Sequence, residues 1–317
     1  MNTDPASGPE AARTVAVLGG TGFLGRALCA ELARPGRRVL TVSRGSRAGA
    51  PEEGFRRLDL STVGVDELAA FLDAEAVTEV VNAAGGMWGL NDQQMLDANV
   101  TLVQTLIAAI ATTERKPRLV QMGSVHEYGL VPIGVSIAED YPAAPVMAYG
   151  RLKLAATEAV VEATERGDLD GVVLRLGNVV GAGQPGHSLL GVLAEKLLAA
   201  SRAGTTAQLT LDPLTALRDF VDLSDCVDAT VLALDAAAPA RVVNIGRGIA
   251  ATARELAEGL IAVSKVDTVV TENETGAGPE TDWQQLAIGL AEESLGWTPQ
   301  RSLEESLTDL WEACSAA

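Results

Sequence analysis

Cysteine, histidine and aromatic residues are scarce in this chain. Three cysteines, Cys29, Cys226 and Cys314, are scattered over 317 residues without a metal-like spacing. An odd, sparse set argues against a disulfide framework and fits a reducing cytoplasm. With two histidines, His126 and His187, no zinc or other metal site is expected. No apolar run reaches the roughly 18 residues that span a bilayer, so no membrane partner is expected either. The opening "MNTDPASGPEAAR" lacks the apolar stretch of a secretory signal, and residues 1–12 read as a disordered tail. Positive charge is also in deficit: the net charge is −18. Such a surface repels phosphate backbones and disfavours nucleic acid as a partner. Small anionic ligands stay open, because one arginine or one helix N-terminus can hold a phosphate.

What is present is alternation. Short β-rich runs at 14–19, 37–44, 55–60, 77–85, 117–124 and 170–178 are separated by Ala/Leu-rich helical stretches. Buried strands alternating with helices predict an α/β, doubly wound parallel sheet covered on both faces, with ligands at the carboxyl ends of the strands. This alternating part covers residues 13–178, and beyond it, over 179–317, the texture is less regular. "ETGAGPET" at 274–281 reads as a surface loop, and "SLEESLTDLWEA" as a last helix capped by Ser302 with Glu305.

Between the first strand and the first helix, "VAVLGGTGFLGRAL" places Gly19, Gly22 and Gly25. Glycines there let the backbone turn tightly beside a pyrophosphate, with the helix N-terminus behind it. A carboxylate at the end of the second strand would hold both ribose hydroxyls of NAD. None is there. "TVSRGSR" offers Ser43, Arg44, Ser46 and Arg47 instead, a guanidinium set suited to a 2′-phosphate, so NADP(H) is expected over NAD. Asp59 and Leu60, after the third strand, are placed to flank an adenine.

"AYGRLK" puts Tyr149 and Lys153 one helical turn apart, on one helix face. Alone, that spacing fits a reaction centre or an ordinary amphipathic helix.

The order of the motifs decides between them. "GGTGFLG" (19–25), "NAAG" (82–85), "GSVHEYG" (123–129), "YGRLK" (149–153), "LRLGNVVGAG" (174–183), "RDFVDLSDCVDA" (218–229), "VVNIGRG" (242–248) and "LGWTPQRSLEESL" (295–307) cover nearly the whole chain. In this order they resemble the extended short-chain dehydrogenase/reductases, the NAD-dependent epimerase/dehydratase group. The resemblance implies a dinucleotide-binding Rossmann domain over 13–178, a smaller interleaved and mainly substrate-binding region over 179–317 with some segments returning to the first part, and, in many members, a nucleotide-activated sugar as substrate. It implies Tyr149 as the acid–base residue, Lys153 as its modulator and ribose ligand, and Ser124 as a hydrogen-bond donor to the reacting oxygen. It places Phe23, Leu24, Ala83, Ala84, Gly85 and Asn99 along the dinucleotide. Toward the substrate it places Met87, Trp88, His126, Asn178, His187 and Arg218, the last on a diphosphate. It also implies a homodimer through a four-helix bundle.

Sugar dehydratases of this group carry an Asp-Glu pair after the serine or threonine. Here those positions are Val125 and His126, with Glu127 one place late, so dehydration is not expected. An NADPH-dependent ketoreductase of a dTDP-linked 4-keto-6-deoxysugar is the leading reading. An NAD-dependent epimerase, a reductase of a non-sugar ketone and a non-catalytic dinucleotide-binding regulator are the alternatives. The non-sugar ketone stays open because "GPETDWQQLAIGL" carries Glu280 and no arginine where such enzymes often have one.

Overall fold

The computed structural model describes residues 13–45, 54–211, 214–237, 240–273 and 283–316. The expected tail over 1–12, Ser46, Arg47, and the 274–281 loop with Glu280 lie outside them.

β1 (Arg13–Leu18) shows why the sheet forms. From Thr14 onward every residue of "RTVAVL" is buried. Successive side chains of a strand point to opposite faces, so Val15 and Val17 enter one core and Ala16 and Leu18 another. The first part continues as α1 (Phe23–Leu32), β2 (Arg37–Ser43), β3 (Phe55–Arg57), α2 (Val65–Ala74), β4 (Glu79–Asn82), α3 (Asp92–Leu96), α4 (Leu102–Thr112), β5 (Arg118–Ser124), α5 (Ala148–Glu165) and β6 (Gly171–Leu176). The rest runs β7 (Asn178–Val180), α6 (Leu189–Ala203), β8 (Ala207–Leu211), β9 (Leu217–Asp222), α7 (Leu223–Asp235), β10 (Val242–Ile245), β11 (Ala250–Thr252), α8 (Ala253–Ser264), β12 (Thr268–Glu272), α9 (Gly289–Leu295) and α10 (Leu303–Ser315).

Seven strands make one sheet, in the order β10-β6-β5-β4-β1-β2-β3. Every neighbouring pair is parallel. Both faces are therefore covered, which is why the strands read as apolar runs. Leu28 and Leu32 of α1, Ala229 of α7 and Ala291 of α9 cover one face. Leu68 of α2, Leu106 and Ile110 of α4 and Val160 of α5 cover the other. The strand order reverses beside β1, between β2 and β4, which opens the ligand crevice of this sheet type.

The second half adds a third core, in which Leu193, Leu197, Leu260 and Leu310 join α6, α8 and α10. Two small sheets, β11-β9-β7 and β12-β8, complete it. The expected single strand over 170–178 is two strands. Gly177 alone separates β6, in the large sheet, from β7, which pairs with β9. The "RDFVDLSDCVDA" stretch works here as scaffold. The Asp225 carboxylate accepts from the Gln300 and Arg301 amides at 3.0 and 3.1 Å, while Asp222 caps α7 through the Ser224 amide. Ser302 and Glu305 form the capping box expected on the last helix.

The helical run that begins at Asp92 is interrupted. A π-turn at Asp97–Thr101 separates α3 from α4. Such bulges concentrate at functional sites. The whole run Asp92–Thr112 has the length and apolarity of a membrane-crossing helix, but half of its apolar window is inside the fold. Leu102, Leu106 and Ile110 face the sheet, so it is a core helix.

Candidate active site

The dinucleotide end of the crevice is shaped by backbone. Gly19 has φ +75°, and a Cβ there would lie 2.8 Å from the Ala84 backbone. A Cβ on Gly25 would lie 2.2 Å from the Gly19 carbonyl. Only bare backbone fits at either place. α1 starts at Phe23 with Gly22 as its N-cap, and no side chain caps it and no acid sits in its first turn. Its first N–H groups and the positive end of its dipole are therefore available to an anion, and the cradle fits a pyrophosphate. Leu24 packs into the first core and Leu60 into the second. Ser43, at the end of β2, lies 2.8 Å from Thr21 through the two hydroxyls. Arg44 follows, exposed. Asp59 is held below the usual carboxylate range by bonds from Ser61, with a smaller pull from the Arg44 charge. Arg44 and Asp59 thus lie near one another at the end of β2.

Ala83 and Ala84 continue β4 into this crevice, their amides donating to the Leu18 carbonyl and to Asn82 Oδ1. Asn99, in the π-turn, shapes the loop that follows. Its Nδ2 donates to the Gly86 and Met95 carbonyls, both at 2.8 Å, and a Cβ on Gly85 would lie 2.8 Å from its Oδ1. Its amide nitrogen is engaged within the chain. Arg26 was not singled out in the sequence. Its Nη1 donates to the Thr21 carbonyl at 3.2 Å, and its Nη2 reaches the Gly183 loop of the second half. Its signal is position: it directly follows the last glycine of the turn.

The other end of the crevice is shaped by side chains. Ser124 closes β5 and leads into a single 3₁₀ turn, Val125–Glu127. Its hydroxyl accepts from the His126 amide, and its own amide donates to Glu127 Oε1 at 2.8 Å. This reciprocal cap fixes the turn. A Cβ on Gly150 would sit 2.4 Å from the His126 carbonyl, so glycine after the tyrosine lets α5 lie directly on the turn. That contact brings Tyr149 beside Ser124 and beside His126, ring centroids 6.0 Å apart and edge-on. Lys153, one turn further, is buried. Its Nζ donates to the Met122 carbonyl at 2.7 Å and lies 6.0 Å from the centre of the Tyr149 ring.

Burial dominates the electrostatics of this pair. Burial, helped by the Glu127 charge and opposed by the neighbouring Ser124 hydroxyl, pushes Tyr149 up to about 12. Burial also pulls Lys153 down to about 8, against the Glu127 charge. Burial thus favours the uncharged form of each group, the phenol of Tyr149 and the amine of Lys153.

Glu127 itself points away from the reaction. It forms a buried ion pair with Arg175 at 2.6 Å. The Arg175 guanidinium lies 4.6 Å from the centre of the Tyr128 ring, and Tyr128 donates to Asn244 Oδ1 at 2.7 Å. Asn244 donates in turn to the Ile137 carbonyl. Of these residues only Glu127 was named from the sequence, as one place late for a dehydratase pair. One signal was available: an arginine inside the apolar strand "GVVLRL" needs a buried partner.

On the substrate side, Trp88 and His187 meet, ring centroids 5.4 Å apart, Trp88 62% exposed. Met87 beside them is half-buried. They join the loop after β4 to the loop before α6. Asn178 donates to the Asp219 carbonyl and to Gln284, and Gln284 reaches His126. Gln284 is a further residue that sequence reasoning missed. Arg218 is half-buried on β9, paired with Ala251 of β11. Asp219 beside it accepts from the Arg247, Gly248 and Leu286 amides, tying three segments together.

A seven-stranded parallel sheet with a glycine cradle at its switch point and a Ser–Tyr–Lys set beyond it defines a dinucleotide-binding short-chain dehydrogenase/reductase. The family model "NAD dependent epimerase/dehydratase family" matches residues 15–246, and the chain belongs to that family. It is 59% identical over 306 residues to a dTDP-6-deoxy-L-talose 4-dehydrogenase (NAD(P)(+)) of Kitasatospora kifunensis, with 96% of each chain covered. It is 28% identical to a UDP-glucose 4-epimerase of Rhizobium leguminosarum bv. trifolii, over 95% of this chain and 97% of that one. Among solved structures, RMD from Pseudomonas aeruginosa complexed with NADPH superposes with a TM-score of 0.79 at 22% identity, covering 96% of this chain and all of that one. That last likeness speaks to the fold.

Proposed function

We propose that the protein is an NAD(P)-dependent oxidoreductase of a dTDP-linked 6-deoxysugar, acting at C4, and that it works as an NADPH-dependent 4-ketoreductase. The observation that carries the reading is the grouping of Ser124, Tyr149 and Lys153, with Lys153 Nζ 6.0 Å from the centre of the Tyr149 ring, in a chain 59% identical to a dTDP-6-deoxy-L-talose 4-dehydrogenase. When bound, the reduced nicotinamide supplies the hydride. Tyr149 donates its proton to the carbonyl oxygen as negative charge gathers there, and Ser124 donates a second hydrogen bond. Lys153 keeps a positive charge near both and is assigned to the ribose. The glycine turn and the N-terminus of α1 hold the pyrophosphate. Arg44 and Ser43, with no carboxylate ending β2, support NADPH over NADH. Trp88, Met87 and His187 wall the sugar side, and Arg218 is assigned to the diphosphate.

With Glu127 committed to Arg175 and Val125 and His126 in the two preceding places, elimination lacks its carboxylate pair. The test is oxidation of NADPH by a dTDP-4-keto-6-deoxyhexose, followed by the reverse reaction with dTDP-6-deoxy-L-talose. Absence of both reactions overturns the reading, and tightly retained NAD with 4-epimerisation replaces it by the epimerase.

The same proposal includes a homodimer in which α4 and α5 pair with their copies, since a two-fold contact is the commonest oligomer solution. Light scattering at micromolar concentration should give twice the chain mass, and a monomer mass would contradict it.

A further inference from the structure

The hydrogen bonds behind His126 determine where its proton sits. Their fixed point is a backbone carbonyl. The Asp219 oxygen can only accept, so the Asn178 side-chain atom 3.1 Å from it is the amide nitrogen. That nitrogen also lies 3.1 Å from the Gln284 side chain, whose facing atom must accept and is therefore Oε1. Gln284 then turns its Nε2 toward His126 Nδ1, 3.4 Å away. An amide nitrogen only donates, so Nδ1 accepts and is bare. The neutral ring carries its proton on Nε2. A proton on Nδ1 would set two donors face to face. The relay is rigidly mounted. Asn178 stands on β7, paired with β9, and Gln284 is buried with its amide donating to the Leu217 carbonyl at 2.9 Å. His126 is half-buried and stands edge-on to Tyr149.

We infer that the Asp219–Asn178–Gln284 relay holds His126 as the Nε2–H tautomer, and that this N–H donates to a sugar hydroxyl next to the carbonyl that Tyr149 protonates. The identity of the ligand rests on the function proposed above; the tautomer does not. His126 touches the substrate, while Asn178 and Gln284 are positioning residues that act through it. The recognised feature is a hydroxyl adjacent to the reacting carbon, which a deoxysugar lacking that hydroxyl does not offer.

The chain has two histidines, so the tautomer can be read directly. In the full-length protein with ¹⁵N-labelled histidine, long-range ¹H–¹⁵N correlations separate the two neutral tautomers, and His187→Asn assigns the signals. Wild type should show Nε2–H at His126, and Gln284→Glu, which offers only acceptors, should draw a proton to Nδ1. In kinetics, the carboxamide of His126→Gln reaches the Nε2 position and that of His126→Asn only the Nδ1 position. His126→Asn should raise KM for the keto sugar about tenfold, the worth of one hydrogen bond, with the NADPH Kd unchanged. His126→Gln should recover most of that loss. An Nδ1–H signature in wild type overturns the proposal, and so does an equal KM for the Asn and Gln variants. The wild-type signal needs neither a variant nor turnover. A wild type inert toward the keto sugar but carrying the Nε2–H signature therefore strikes the proposed function and upholds the tautomer.

Discussion

At the dinucleotide end of the crevice the shaping atoms belong to one short stretch, Gly19 to Gly25, and to the Ala83–Gly86 turn beside it. At the reaction end they come from far apart. Lys153 is held by Met122, 31 residues away, Tyr128 by Asn244, 116 away, and His126 by Gln284, 158 away. A phosphate is an invariant ligand, and a bare backbone turn with a helix behind it suffices to hold it. A sugar carbonyl must be met by donors at fixed positions and in fixed protonation states, and these need support from behind. The two ends should therefore respond differently to mutation.

The largest contrast should come from Tyr149→Phe. Loss of the proton donor should cost about 10²–10⁴ in the rate of ketone reduction. NADPH affinity should be nearly unchanged, because the phosphate contacts lie at the other end. Stopped-flow reduction together with fluorescence titration of NADPH checks both. Near-full turnover would sink the assignment and leave His187 or a substrate hydroxyl as the donor.

Glu127→Gln tests the support behind the reaction end. It leaves the Arg175 charge buried without its partner, which typically costs about 3–5 kcal/mol of stability. Urea unfolding should show the loss in the midpoint. A variant as stable as wild type would mean that Arg175 has found water or another acceptor.

The two ends also differed in how far they could be read from sequence. The glycine turn, the ends of β1, β2, β4 and β5, and the Tyr149–Lys153 helix face each lie within a stretch of about ten residues. Local period and turn chemistry report such features. The π-turn at 97–101 was invisible, because its residues have ordinary helical propensity and the bulge accompanies the Asn99 bonds to Met95 and Gly86. The break at Gly177 was invisible for a similar reason: "GVVLRLGNVV" is apolar throughout, and only its pairing partners divide it between two sheets. Arg175 and Gln284 were missed because each is defined by a partner far along the chain, 48 and 158 residues away. Tyr149 was found, but its elevated pKa depends on burial and on Glu127, neither of which its helix spacing reveals.

At the dinucleotide end, Arg44→Ala should weaken NADPH by about 1.5–3 kcal/mol, the worth of a charge-assisted hydrogen bond, and leave NADH almost unaffected. Titrations with the two cofactors separate the cases. Equal losses would place Arg44 on a group the cofactors share.

The smallest expected effect is a pH limb from Lys153, and it belongs to the reaction end alone. The group ionises at about 8 in the folded chain against 10.5 for a free lysine, because burial disfavours its charge. Below about pH 8 the ammonium stands beside Tyr149, and above it the ammonium is lost. Reduction by NADPH at saturating sugar should hold level up to neutral pH, then fall with a midpoint near 8, by about tenfold per pH unit at the steep part. Lys153→Met should be slower throughout and lack that midpoint. Stability runs the opposite way. The folded chain binds fewer protons than the unfolded chain between about 8 and 10.5, so this group's contribution to stability rises with pH across that window. A fall in activity above pH 8 without a matching loss of stability in this window therefore assigns the limb to the ammonium rather than to unfolding. A level activity profile through pH 9 would show that Lys153 is not required charged for the proton transfer.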